Sequence, residues 1–217
     1  MPISHAHRCI FIHIPKTGGT SIERALGMRG RNKKEDRELL YGRIESNDLK
    51  RQALLSGYLQ HITMADIHTL YPERPFADYF SFSVVRNPWD RLVSTYVNTD
   101  RHLCRTARAR GVELEGLTFD DYVRAVGELR HAHLQPQHEY LLDEHGKLAV
   151  GYVGRFESLV ATFGEICQQL GIRKVLSHEK RSSQRKSKDH RSYYSPETKK
   201  IVEKRYARDI ELFGYHF

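Results

Sequence analysis

The run Cys9-Ile10-Phe11-Ile12-His13-Ile14, followed at once by Pro15-Lys16-Thr17-Gly18-Gly19-Thr20-Ser21, leaves this chain few folds to choose from. The apolar run suits a strand buried on both faces, the kind found inside a parallel sheet. Proline, two glycines and Thr-Ser then turn the chain into a helix over 20–26, which Gly27 and Gly30 stop. Such a turn aims several backbone N–H groups and one lysine at a common spot, and that spot favours an anion. The Walker A order G-x-x-x-x-G-K-[ST] places its lysine after the glycines, whereas Lys16 precedes Gly18 and Gly19. An ordinary ATP or GTP loop is therefore a poor match. A tight strand-to-helix turn with a solvated lysine is the plain alternative.

Further strands are predicted at 80–85 and 150–156. Thr63 with Asp66 three residues on predicts a helix N-cap. Asn87-Pro88 predicts another, because asparagine caps well and proline suits the first helical position. On the helix after Asn87, Trp89, Leu92, Val93, Tyr96 and Val97 share one face, while Asp90, Arg91, Ser94 and Asn98 share the other. Helices are also expected over about 118–127 and 157–170, and from Ser195 to about Phe213. The charged segment 31–51 and the Arg-rich segment 100–116 are expected as irregular surface structure. Strands alternating with helices predict an α/β, P-loop-like three-layer fold, a central parallel sheet flanked by helices, with its ligand at the C-terminal strand ends. At 217 residues and without a linker, 1–217 is read as one domain.

The formal charge of +8 is concentrated in one place: residues 173–208 hold thirteen Lys or Arg against four acidic residues. Such a segment can meet nucleic acid, an anionic membrane, an acidic polysaccharide or a polyanionic cofactor, and it can also be a solvated surface. Cys9, Cys104 and Cys167 form no C-x-x-C pair and are expected to be reduced and structural. No stretch approaches the length of a membrane span, and the first residues lack a signal peptide's apolar segment. A cytosolic protein is expected from these features.

Arg86 ends the 80–85 strand, and Ser94 follows eight residues later on the polar helix face. An arginine fork grips a phosphate bidentately, and a serine hydroxyl can complete the contact. The segment Arg86-Asn87-Pro88-Trp89-Asp90-Arg91-Leu92-Val93-Ser94-Thr95-Tyr96 resembles the 3′-phosphate-binding segment of sulfotransferases that use 3′-phosphoadenosine 5′-phosphosulfate (PAPS). The loop at 15–21 resembles their 5′-phosphosulfate loop. Together they resemble sulfotransferase family 2, the Golgi-type carbohydrate sulfotransferases and their bacterial relatives. The segments Tyr152-Val153-Gly154-Arg155-Phe156-Glu157 and 206–215 extend the likeness over most of the chain.

The resemblance implies transfer of a sulfuryl group from PAPS to a hydroxyl of a carbohydrate or glycan-like acceptor. It implies that Lys16, Thr17, Gly18, Gly19, Thr20 and Ser21 hold the 5′ end and that Arg86 and Ser94 hold the 3′-phosphate. Lys188, in the basic segment before Tyr193-Tyr194, is a further candidate contact. Lys16 would also favour charge appearing on the leaving phosphate, as in phosphoryl transfer. The sulfuryl group carries less charge than a phosphoryl group, so no metal is required. A general base must take the acceptor's proton, and histidine suits that task near neutral pH. His61, in Gly57-Tyr58-Leu59-Gln60-His61-Ile62-Thr63, is the first candidate, and His133 in a segment resembling the family's acceptor site is the second; either could be a surface histidine. A P-loop kinase-like enzyme would need a later lysine and a carboxylate for Mg²⁺. A nucleic-acid module would use the basic segment, which instead reads as loop plus amphipathic helix. No nucleic-acid partner and no integral membrane segment are expected. Since the family's eukaryotic members are typically anchored in the Golgi, the resemblance implies a cytoplasmic, bacterial protein, with a trimmed catalytic domain of a membrane-anchored Golgi enzyme as the alternative. Oligomeric state is not legible.

Overall fold

Every side chain of Cys9–Ile12 is buried, as a strand with neighbours on both edges and layers on both faces requires. A computed structural model describes residues 2–29, 34–52, 54, 56–73, 76–143, 145–176, 187 and 189–217. In chain order the strands are β1 (Ile3–Ser4), β2 (Cys9–Ile12), β3 (Phe80–Val85) and β4 (Tyr152–Arg155). The helices are α1 (Gly19–Ala25), α2 (Asn47–Arg51), α3 (Met64–Leu70), α4 (Pro88–Val97), α5 (Arg101–Arg108), α6 (Phe119–Ala125), α7 (His138–Leu141), α8 (Leu159–Gln169), α9 (Pro196–Arg205) and α10 (Ala207–Phe213). The sheet order is β1-β2-β3-β4, with β1 antiparallel and the other strands parallel. Phe11 pairs with Phe82 and Ile12 with Ser83, so β2 and β3 end side by side at one end of the sheet. This is the expected α/β architecture, with the short β1 added to one edge.

The chain divides into two compact units, each made of two separate stretches, so no linker pattern marks them in sequence. The first holds Met1–Val85 and Gln137–Glu179. Phe11 of β2 and Phe82 and Val84 of β3 pack with Ile22 of α1, with Leu26 at its C-cap and with Phe163 and Ile166 of α8. The Phe11 and Phe82 rings stack at 5.1 Å, and truncating a buried ring of this kind typically costs about 3–5 kcal/mol. The capping box expected at α3 is present: the Asp66 N–H donates to Thr63 Oγ1 at 3.0 Å and the Thr63 N–H to Asp66 Oδ2 at 2.7 Å. The segment expected as charged surface does more than that. Leu40, Tyr41, Ile44 and Leu49 are buried, although their spacing shows no single period.

The second unit holds Arg86–Pro136 and Lys180–Phe217. Asn87 caps α4 as predicted, its Oδ1 accepting from the N–H groups of Trp89 and Asp90. Trp89, Leu92 and Val93 pack with Phe119, Tyr122 and Val123 of α6 and with Val202 of α9. The structure corrects three expectations. Arg91, placed on the polar face, is buried, because its guanidinium donates to the carbonyls of Gln135 at 2.8 Å and His133 at 3.4 Å. Within 100–116 lies α5, capped by Asp100, with Leu103, Cys104 and Ala107 buried beneath its arginines. The last helix is two helices: at Tyr206 the chain turns so that the phenol donates to the Leu134 carbonyl at 2.8 Å, while Arg205 holds the carbonyls of Val126, Gly127 and Leu129. No proline or glycine forces that break; tertiary contacts do.

The cysteines are free and buried, and burial pushes the Cys9 thiol up to about 12, far from a reactive thiolate. Among the described residues no helix is long and apolar enough to cross a membrane.

Candidate active site

In the first unit, β2 leads into a turn whose backbone is held in an uncommon state. Lys16 has φ of 72° and Gly18 of 83°, both left-handed. For a lysine that conformation costs about 1–3 kcal/mol, and such strain concentrates at ligand-binding sites. Thr17 is buried and donates its hydroxyl to the Ile14 carbonyl at 2.8 Å, which closes the turn. Gly18 stands at the N-cap of α1 with no side-chain cap, and the first turn carries no acidic residue. The helix start is thus suited to an external anion rather than to an internal one.

Both glycines are required. A Cβ on Gly18 would lie 2.8 Å from Leu159 Cδ2, and one on Gly19 only 2.3 Å from the His13 ring. Gly19→Ala is therefore expected to destabilise the protein by about 1–3 kcal/mol through overpacking. An unchanged thermal midpoint would contradict this packing. Thr20 is half-buried, and Ser21 is buried with its N–H on the Gly18 carbonyl at 3.2 Å.

His61 ends a 3-10 turn over Leu59–His61 and belongs to the same cluster. Its Nδ1–H donates to the main-chain carbonyl of His13 at 3.1 Å, which assigns the lone pair of the neutral ring to Nε2. The two imidazoles meet edge to face at 4.5 Å. Burial first, then the electrostatic influence of His13 and Lys16, holds His61 well below the usual histidine range. It is therefore an unprotonated acceptor at neutral pH. The unfolded chain binds a proton at this residue that the folded chain refuses, so folding stability rises with pH across that interval. Acidification below about pH 6.5 is expected to erode stability, and His61→Gln to flatten part of that slope in pH-dependent thermal melts.

His13 and Glu23 were not singled out by sequence. Glu23 Oε1 accepts from His13 Nδ1 at 2.5 Å, and both side chains are buried. The available signals were a lone polar residue in an apolar run and a glutamate beside the apolar Ile22.

In the second unit, Arg86 follows β3 directly. It is 6% exposed, and its Nε and Nη2 both lie 2.7 Å from Asp90 Oδ2. Asp90 and Ser94 lie one turn apart in a row on one face of α4, and Arg86, just before the helix, reaches that row through Asp90. Asp90, expected as a plain polar position, fixes the arginine by its Nε–Nη2 edge. The C-terminal segment packs on this helix start: Tyr194 donates its hydroxyl to the Trp89 carbonyl at 2.9 Å, and His190 Nδ1 stands 4.0 Å from Asp90 Oδ1. Lys188 lies outside the described residues. His133 is also in this unit, with Nδ1 3.4 Å from Asp100 Oδ2 and its N–H donating to His131 Nδ1 at 3.1 Å. Thus Lys16, Gly19 and His61 are brought together in the first unit, whereas Arg86, Ser94 and His133 belong to the second.

A family model described as "Sulfotransferase family" matches residues 1–216. The chain belongs to that family. It is 24% identical over 245 residues to carbohydrate sulfotransferase 10 of Xenopus laevis, covering 98% of this chain and 66% of that protein. It is 26% identical over 243 residues to carbohydrate sulfotransferase 10 of Gallus gallus, covering 96% and 64%. For the Homo sapiens protein the figures are 23% over 241 residues, covering 96% and 65%. The chain thus spans just under two thirds of the length of these curated relatives. No solved structure matches it.

Proposed function

We propose that this sulfotransferase acts as one catalytic domain that moves a sulfuryl group from PAPS to a hydroxyl of a carbohydrate. The observation that carries the reading is the pairing of two adjacent parallel strands, β2 and β3, one leading into the lysine-glycine turn and the other into Arg86. The ends of adjacent parallel strands are where α/β folds bind nucleotides. The acceptor class is supported by relatives that are named carbohydrate sulfotransferases.

The donor supplies an activated sulfuryl group on a phosphate leaving group. Lys16 and the N–H groups of Gly18 to Ser21 bind the 5′-phosphosulfate end, and the left-handed turn and uncapped helix start fit a doubly charged group. Arg86 and Ser94 hold the 3′-phosphate. Asp90, at 2.7 Å from both Nε and Nη2, fixes the orientation of the guanidinium that grips it. Lys16 offsets negative charge as it develops on the leaving oxygen.

His61 accepts the acceptor's proton at Nε2. Its depressed proton affinity keeps it unprotonated at neutral pH, and the carbonyl on Nδ1 orients the ring. The cluster with Lys16 and Gly19 favours His61 over His133.

The test is transfer of labelled sulfate from PAPS across a panel of carbohydrate acceptors. Labelled sugar product supports the assignment. Turnover of ATP in its place, or label passing to none of the sugars, contradicts it.

A further inference from the structure

Glu23 is 3% exposed and sits in α1 between the core residues Ile22 and Leu26. A carboxylate there carries a desolvation cost that an apolar side chain would avoid. Its hydrogen bond goes to His13, at 2.5 Å, and His13 is itself 7% exposed. The His13 ring stacks on Phe11 at 5.3 Å, and on another side meets the backbone of Gly19 so closely that no Cβ fits between them. Residue 13 touches His61 twice, through ring edge and main-chain carbonyl. The carboxylate, the loop glycine and the histidine that faces the reaction are thus joined through one imidazole.

From this geometry we infer that Glu23 and His13 are a positioning pair: Glu23 locks the His13 ring, and the locked ring holds both the turn at Gly19 and the His61 side chain in their working places. The catalytic consequence rests on the reading of His61 as the proton acceptor. The positioning itself does not, since it concerns the orientation and tautomer of a ring. Without an acceptor at position 23, the His13 Nδ1–H must find another partner. The ring then turns, Gly19 and the His13 carbonyl shift with it, and His61 no longer has one preferred site for its proton. A packing role alone makes the opposite prediction, because an unbranched apolar residue fills the same space without desolvating a charge.

The test is ¹⁵N NMR of the histidine rings in the full chain at pH 7.5, together with steady-state kinetics, in the wild type, Glu23→Met, Glu23→Gln and Glu23→Asp. In the wild type, the His61 proton is expected on Nδ1. In Glu23→Met, His61 is expected to become a mixture of both tautomers. Misplacing a reacting group by about 1 Å can cost up to about 10²-fold in rate, and kcat is expected to fall here by about 10-fold or more, with the acceptor KM within about 2-fold. Glu23→Gln keeps an acceptor oxygen and is expected to restore most of both properties, whereas Glu23→Asp, one methylene short, falls between.

A wild-type His61 carrying its proton on Nε2 overturns the inference even if no variant folds. So does a Glu23→Met protein with the wild-type His61 signature and kcat. The expected ring signatures in a protein that transfers no sulfate support the pair and remove the reaction assigned above. Transfer that is indifferent to position 23 does the reverse.

Discussion

Lys16→Ala is expected to lower kcat for sulfuryl transfer by about 10²–10³-fold while leaving affinity for adenosine 3′,5′-bisphosphate within several-fold of the wild type. In the proposed reaction the ammonium acts mainly on charge that appears as the bond to sulfur breaks, so its loss would fall on the transition state more than on the bound ground state. The remaining turn, with Thr17 anchored on the Ile14 carbonyl and Gly18 left-handed at the helix start, still presents its N–H groups. Alanine also suits a left-handed φ of 72° no better than lysine, so relief of backbone strain does not mask the effect. Kinetics and calorimetry on one preparation separate the terms. A large loss of bisphosphate affinity with kcat preserved would move Lys16 from chemistry to binding.

Arg86→Ala is expected to act the other way, weakening bisphosphate binding by about 10²-fold or more. Two charge-assisted hydrogen bonds to a phosphate are each worth about 1.5–3 kcal/mol. The substitution also leaves the Asp90 carboxylate on the same helix face without its guanidinium, and a like charge there opposes the ligand. Asp90→Asn separates the two contributions. It removes the repulsion and loosens the arginine, so its affinity is expected between those of the wild type and Arg86→Ala. Equal bisphosphate affinity in Arg86→Ala and wild type would remove the arginine row from the site.

The parts of this protein legible in sequence are those whose cause is local. β3, the Asn87-Pro88 start of α4 and the Thr63 capping box follow from residues a few positions apart, and the structure has them where the patterns put them. The lysine-glycine turn was legible because its backbone demands leave a composition behind: two glycines, one of which must be left-handed and the other of which must lack a Cβ against His13. Arg91 was misread because helical spacing identifies a polar face but not the carbonyls of residues 133 and 135 waiting beneath it. α5 was hidden by its arginines, whose charge outweighed a short stripe of Leu103, Cys104 and Ala107. The link from Glu23 to His13 to His61 joins residues up to 48 positions apart, and no local pattern encodes such a contact. The same holds for His190 beside Asp90, which only the folding of the C-terminal segment onto α4 brings together.

The central claim is that the β2 turn and the arginine following β3 serve one doubly phosphorylated adenosine. Calorimetric titration of the wild type with adenosine 3′,5′-bisphosphate and, separately, with ATP and Mg²⁺ tests it most directly. The account predicts tight, stoichiometric binding of the bisphosphate and much weaker binding of ATP; tighter binding of ATP with Mg²⁺ would contradict it.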